Sequence, residues 1–312
     1  MQKGALAHLS TGAKLLVVLM LILLSAVVFS MLAMTFGMLL YDFSVAEVQQ
    51  VLSSPAGDAQ LEFMKFFQGL TSLGMFLAPA WLGAFLFSER PSELMSAERL
   101  PYRMPLLLLL VTALSLSGAV ISDLCYQITL SFDFPESWLP FKEMLDESQR
   151  AMEAIYDRLL QMDNFMDFTS VLLVMAIIPA VCEEALFRGL LQPIMQKSVG
   201  VHLGIVATSL IFAVIHQQFY AFLSIFVLGM ALGYVRYWSN SLWLSTWMHF
   251  VNNGVIVFTV YFFDVSYSET NNTDEALAGW QYVVGVVVFG LLLLVAQRFL
   301  TTNRADEIAE GH

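Results

Sequence analysis

Charge is scarce in this chain. Only 13% of its 312 residues are Asp, Glu, Lys or Arg, about half the 25% typical of a soluble globular domain. Hydrophobic residues make up 58%, and the mean hydropathy is +0.71. In water such a chain would expose large sticky patches, so the shortage of charge excludes a soluble globular protein and makes a bilayer the natural solvent. Cations are scarcer than anions, 14 against 26, for a net charge of −12. A phosphate-binding surface needs clustered Lys and Arg, so nucleic acid is excluded as a partner. The only two cysteines, Cys125 and Cys182, sit in or beside apolar runs and read as small buried hydrophobes rather than a disulfide. Internal repeats, low-complexity tracts and long linkers are absent too.

What is abundant is apolar sequence in long blocks. Eight runs stand out, at about 14–40, 66–88, 104–124, 167–190, 201–216, 219–237, 241–263 and 280–299. The first follows Lys3 and Lys14. From Leu15 to Leu40 it is longer than the 7–15-residue core of a cleaved signal and long enough to span, so it reads as a retained transmembrane helix. The fold class expected is all-α, a polytopic membrane bundle of about eight transmembrane helices.

The polar stretches between the runs alternate in charge. One side of the bundle takes the N-terminus, 88–103, 188–202, 236–240 and the C-terminal tail, with ten of the fourteen cations. The other takes 41–65, 123–167 and 264–279, with Lys65, Lys142, Arg150 and Arg158 and 18 of the 26 acids. Cytoplasmic loops carry the Lys/Arg excess, so both termini are expected in the cytoplasm. The chain divides into helices one to three (1–130), an extramembrane segment (131–166), the polar-bearing helices (167–263), and a last helix with its tail (264–312). Within 131–166, Trp138, Phe141, Met144, Leu145, Met152, Ile155, Tyr156, Leu159 and Leu160 recur at helical spacing among acids, which predicts an amphipathic helix packed on the outer face. Asn271-Asn272-Thr273 fits a glycosylation sequon, a match too short to carry weight.

Against this background a few polar residues are out of place. Ionisable side chains within a bilayer are costly and mark functional sites. The fourth run contains Pro179, Cys182, Glu183, Glu184 and Arg188. Three charges there cost roughly 8–10 kcal/mol on an insertion scale, more than the neighbouring aliphatics return, so they must face protein or a wet cavity. Glu184 and Arg188 stand four apart and can pair on one face. Glu183 points elsewhere and remains a free carboxylate suited to general-base work. The fifth run ends with Phe212 and His216, again four apart, followed by Gln217-Gln218. The seventh carries His249 and Asn253 at the same spacing. Such a pair can bind water, a metal or an oxyanion, or it can be an interhelical hydrogen-bond pair. Together the three clusters supply what is needed to activate water. Simple counting along the helices puts them at different depths. Assembly therefore requires the fourth helix to continue past Arg188, to about Met195, and the His216 helix to be displaced towards the cytoplasm.

Glu183-Glu184-x-x-x-Arg188, Phe212-x-x-x-His216 and His249-x-x-x-Asn253, in that order on three apolar runs, resemble the motif set of the CPBP intramembrane proteases. These are similar to the type II CAAX prenyl endopeptidases and the bacterial abortive-infection membrane proteins. The resemblance covers roughly 165–260. It implies an integral multi-pass protein, expected in a bacterial inner membrane, with a cavity open to the membrane and the cytosol. It implies hydrolysis of a peptide bond in a hydrophobic or lipidated peptide. Carried over, Glu183 would activate water and His216 would position it. His249 and Asn253 would form the oxyanion site, with Glu184 and Arg188 as the brace. Membrane lipid is the other expected partner. No cofactor is favoured: the sequence lacks His-Glu-x-x-His, although Glu183, His216 and His249 could make a three-ligand zinc site. The rival readings are a non-catalytic peptide-binding or bacteriocin-immunity protein and an ion-coupled transporter. Against the transporter, the charges cluster at one place and no inverted repeat is visible.

Overall fold

The computed structural model describes residues 2–53, 57–96, 103–270 and 277–310, and among them every regular element is helical. The sequon at 271–273 lies outside the described residues. Twelve helices can be distinguished. They are α1 (Thr11–Leu40), α2 (Val45–Ser53), α3 (Asp58–Phe87), α4 (Pro91–Met95), α5 (Met104–Leu130) and α6 (Leu139–Leu159), then α7 (Phe165–Val199), α8 (Val201–Ile215), α9 (Phe222–Ser239), α10 (Leu242–Phe263), α11 (Tyr267–Thr270) and α12 (Gly279–Glu310). Each of the eight apolar runs becomes one helix. Six stretches are long and apolar enough to cross a membrane: α1, α3, α5, α7, α9 and residues Gly279–Asn303 of α12. This is a polytopic helical membrane bundle.

The outermost rods show why. Only 11% of the most apolar window is buried in α1 and in α12. Their Leu, Val and Met side chains point outwards, which is stable only where the surroundings are hydrocarbon. Cys125 and Cys182 are both free and buried, as small hydrophobes should be.

Two helices contain three wide π-turns, at Leu73–Leu77 in α3 and at Leu173–Ile177 and Ala185–Leu191 in α7. Each ends two residues before a proline: Pro79, Pro179 and Pro193. A proline inside a regular helix lacks the N–H and clashes with the carbonyl four residues earlier, and a π-turn relieves that clash. The two in α7 flank Glu183 and Glu184 and let the helix run unbroken for 35 residues. The fourth helix therefore passes Arg188, as expected, and goes beyond Met195 to Val199.

At Val199 the chain reverses on Gly200, whose φ of +84° only glycine adopts freely. Gly204 then lets α8 lie against α7. A Cβ there would sit 2.7 Å from the Gln196 backbone nitrogen. This close hairpin carries His216, at the end of α8, back alongside Glu183.

Because α7 runs on to Val199, α8 starts 18 residues beyond Glu183, and its 15 residues bring His216 back level with Glu183, which lies near the middle of α7. The tip of the α8–α9 hairpin packs against the far end of α5 and against α6. Tyr220 stacks edge-on to Tyr126 at 6.5 Å, Ser224 Oγ donates to the Ser122 carbonyl at 2.7 Å, and the Tyr220 hydroxyl donates to Asp146.

Two layers close the ends of the bundle. At one end Gly4 N donates to the Phe85 carbonyl (3.0 Å), Leu242 N to the Ser96 carbonyl (3.3 Å), and Arg103 and Arg298 line one cavity. At the other, α6 packs on the hairpin tip and on α11, with Ser268 N donating to Asp157 Oδ1 at 2.9 Å. The amphipathic helix predicted within 131–166 is α6. Its C-terminal turns are packed, Leu159 being 4% exposed, while Trp138 (55%) and Met144 (54%) stay outside.

Candidate active site

Glu184 and Arg188 form the brace expected from their spacing. Arg188 Nη1 donates to Glu184 Oε1 at 2.7 Å, and both side chains are almost fully buried. Arg188 Nη2 donates to the Gly229 carbonyl at 3.0 Å, which ties α7 to α9. The guanidinium also lies 4.6 Å from the centroid of the Phe212 ring. Two charge-assisted hydrogen bonds and an aromatic face replace the water that burial removes. Phe212, 1% exposed, packs beside Arg188 and both imidazoles, its ring centroid 4.5 Å from that of His216 and 5.9 Å from that of His249.

The two histidines are held alike. His216 Nδ1 lies 2.8 Å from the Phe212 carbonyl, and His249 Nδ1 lies 3.1 Å from Glu184 Oε1. A carbonyl accepts only, and so does a carboxylate braced by Arg188. Both Nδ1 atoms therefore carry the hydrogen, and both Nε2 atoms are turned the other way. Each Nε2 stands 3.8 Å from the same atom, Glu183 Oε2. That oxygen is buried and accepts no hydrogen bond from protein. The separation is too long for a direct hydrogen bond and suits one intervening small molecule.

These groups open into a cavity of about 290 Å³. Asn253 lines it as expected, and its Oδ1 accepts from Asn252 Nδ2 at 3.3 Å. All seven side chains named from the sequence (Glu183, Glu184, Arg188, Phe212, His216, His249, Asn253) therefore meet in one place. The wall also holds residues that did not emerge as site residues from the sequence, among them Gln68 of α3, Tyr156 of α6, Gln218 of the hairpin tip and Tyr267 of α11. Gln218 interrupts the apolar sequence between α8 and α9, which is a usable signal. Tyr156 and Tyr267 leave none, because their approach depends on long-range packing. Their rings sit 4.8 Å apart, and burial pushes the Tyr156 hydroxyl up to about 12.

Residues 165–255 match the family model described as Rce1-like, type II CAAX prenyl endopeptidase Rce1-like. In that segment the chain is similar to the type II CAAX prenyl endopeptidases. The match begins at the start of α7 and ends two residues beyond Asn253, so it covers the site and leaves α1 to α6, α11 and α12 outside it. It supports a membrane-embedded protease of the CAAX type in general. Neither a curated protein nor a solved structure matches the chain.

A metal is the natural question for such a constellation. The donor set suits zinc: two imidazole Nε2 atoms, each fixed through Nδ1, and one carboxylate. The spacing is open, since tetrahedral ligands about 2.0 Å from zinc lie about 3.3 Å from one another, against the observed 3.8 Å. Among the described residues no group of three His, Cys, Asp or Glu side chains, this one included, is spaced to hold an ion.

Proposed function

We propose that this protein is an intramembrane endopeptidase that cuts a hydrophobic or lipidated peptide with a water activated by Glu183. The observation that carries the reading is the convergence of His216 Nε2 and His249 Nε2 on the unpartnered Glu183 Oε2.

Counting protons shows how the site works. If all three groups were acceptors, no water could satisfy them, because a water has two hydrogens to give. One proton on His249 Nε2, with the Glu184 carboxylate at its Nδ1, resolves the conflict. Water then donates to Glu183 and to His216, which leaves its lone pair free to attack the scissile carbonyl carbon. Glu183 takes the proton as the C–O bond forms. The developing oxyanion accepts from His249 Nε2–H and from the Asn253 amide. Glu183 then delivers its proton to the leaving amine nitrogen as the C–N bond breaks. Arg188 and Glu184 touch neither water nor substrate and act by fixing His249. Were a metal to bind, Glu183, His216 and His249 would hold it, and it would supply Lewis-acid activation of water. We favour the metal-free course, in which Glu183 is the base.

The test is cleavage of a lipidated and hydrophobic peptide library by detergent-purified protein. Glu183→Ala and His216→Ala are expected to abolish cleavage while the melting temperature holds, since Glu183 Oε2 accepts no hydrogen bond that its removal would break. Cleavage surviving Glu183→Ala overturns the mechanism, and cation flux lost in the same variant favours a transporter. Peptide binding without cleavage favours a non-catalytic binder. Chelator inhibition reversed by zinc overturns the metal-free course.

A further inference from the structure

Where α5 begins and the apolar span of α12 ends, the two helices enclose a further cavity that shares no residue with the one at Glu183. Its volume is about 290 Å³, against the roughly 10–15 Å³ that admits one water. Arg103, Leu106 and Leu107 at the start of α5 and Arg298, Phe299 and Thr302 of α12 line it. Steps of three and four residues put each set on one face of its helix. Leu107, Val111 and Leu114 pack with Ala296 and Leu300 in one core, so the two walls are fixed against each other.

The lining combines two chemistries. Two guanidinium groups share the cavity, and no acidic side chain among the described residues lines it with them. Among those residues Arg298 enters no ion pair. Like charges brought to one cavity repel, and an anion between them removes that repulsion. The positive end of the α5 dipole adds to the field, because the helix opens there at Met104 and Pro105. Each arginine fork matches a phosphate bidentately, and the Thr302 hydroxyl is a further donor. The remaining lining is apolar and continues onto the outer surface, where Leu106 is 49% and Phe299 46% exposed. A soluble anion gains nothing from those two side chains, whereas a phospholipid can lay an acyl chain along them. The level also suits a lipid. The apolar span of α12 closes at Asn303, so Arg298 stands near the border between hydrocarbon and headgroups.

We propose that this cavity binds the phosphate of an anionic phospholipid of the surrounding bilayer, held by Arg103 and Arg298 at the cation-rich end of the bundle. The lipid joins the start of α5 to α12. In turn α5 holds the helix that carries His249: Trp247 Nε1 donates to Thr112 Oγ1 at 2.8 Å, and Ser115 Oγ donates to the Met248 carbonyl at 3.2 Å. Binding is measured without any peptide, so it stands or falls apart from the peptidase reading.

The test titrates the detergent-purified full-length protein with phosphatidylglycerol, counting bound lipid by native mass spectrometry and following the melting temperature. Phosphatidylcholine and inorganic phosphate run beside it. The variant is Arg103→Asn/Arg298→Gln. Asn tolerates the φ of +62° at Arg103, and both arginines are exposed, so the core is untouched. An arginine at a membrane surface contributes about fivefold to anionic-lipid affinity, so the double variant should lose about 25-fold. Lys3→Ala/Lys197→Ala removes as much charge from exposed positions at the same end, outside the cavity, and should bind like the parent. Should the double variant melt below the parent without lipid, Arg298→Gln alone carries the test, with a loss of about fivefold expected. Equal loss in the lysine variant, or no loss in the arginine variant, overturns the proposal. So does phosphatidylcholine held as tightly as phosphatidylglycerol. Inorganic phosphate that raises the melting temperature as much as the lipid would make this a free-anion site and overturn the lipid assignment.

Discussion

Arg188 is the residue on which the site's architecture leans most. Replacing it with Ala strands the Glu184 carboxylate in the core and is expected to cost about 3–5 kcal/mol, read as a lowered melting temperature. Arg188→Lys will not restore the parent, because one ammonium cannot span Glu184 Oε1 and the Gly229 carbonyl as the guanidinium fork does. The double variant Glu184→Leu/Arg188→Leu tests the division of labour. Exchanging a buried ion pair for apolar residues is often neutral or stabilising, so the fold should survive. Cleavage should not, since His249 Nδ1 loses its anchor. If that variant cleaves at the parent rate, Glu184 has no part in positioning His249. At this scale much was legible beforehand. Four-residue spacing alone paired Glu184 with Arg188 and Phe212 with His216. The contact of His249 with Glu184 crosses 65 positions, and local spacing carries no trace of it.

Secondary-structure elements set the registration of those residues, and the tightest registration is the α7–α8 hairpin. Gly204→Ala places a methyl group 2.7 Å from the Gln196 backbone, which cannot yield as a side-chain tip would. The hairpin should splay, with a lowered melting temperature and reduced cleavage together. A second test concerns α6 and its contact with the hairpin tip. Lys142, then the Tyr220 hydroxyl, hold the Asp146 carboxyl below its ordinary value of 3.8. A depressed folded-state pKa adds stability that is present above the unfolded value and lost as pH falls through the folded one. The α6 contact should therefore hold at neutral pH and loosen only below pH 3.8, and Asp146→Asn should remove that pH dependence from melting curves. The positions of the apolar runs showed the helices, but not their ends. The fourth run seemed to stop near Leu190 because Gln192, Gln196 and Lys197 break its hydropathy. The helix continues because Gln192 is buried, its Nε2 donating to the Gly233 carbonyl at 3.0 Å. That tertiary contact is invisible to a hydropathy window, and Lys197 lies exposed at the helix end.

For the whole molecule, the all-α class and the pairing of polar stretches into two opposed layers follow from composition and charge. What they could not give is depth. Counting residues from each helix end assumes that neighbouring helices share one membrane thickness, and here they do not. The 35 residues of α7 make a rod of about 52 Å, while the 15 of α8, joined to it by Gly200, reach only about 22 Å. Leu203, Leu210 and Val214 face outwards along α8, so lipid must adapt to the shorter member. A bilayer that follows α8 would be compressed beside the hairpin, bringing hydrated headgroups towards His216. Reconstitution in short-chain lipids should relieve that compression, whereas long-chain lipids should bury the hairpin tip and slow turnover. Through this mismatch between two adjoining helices, the thickness of the host membrane would become a control on the proposed peptidase.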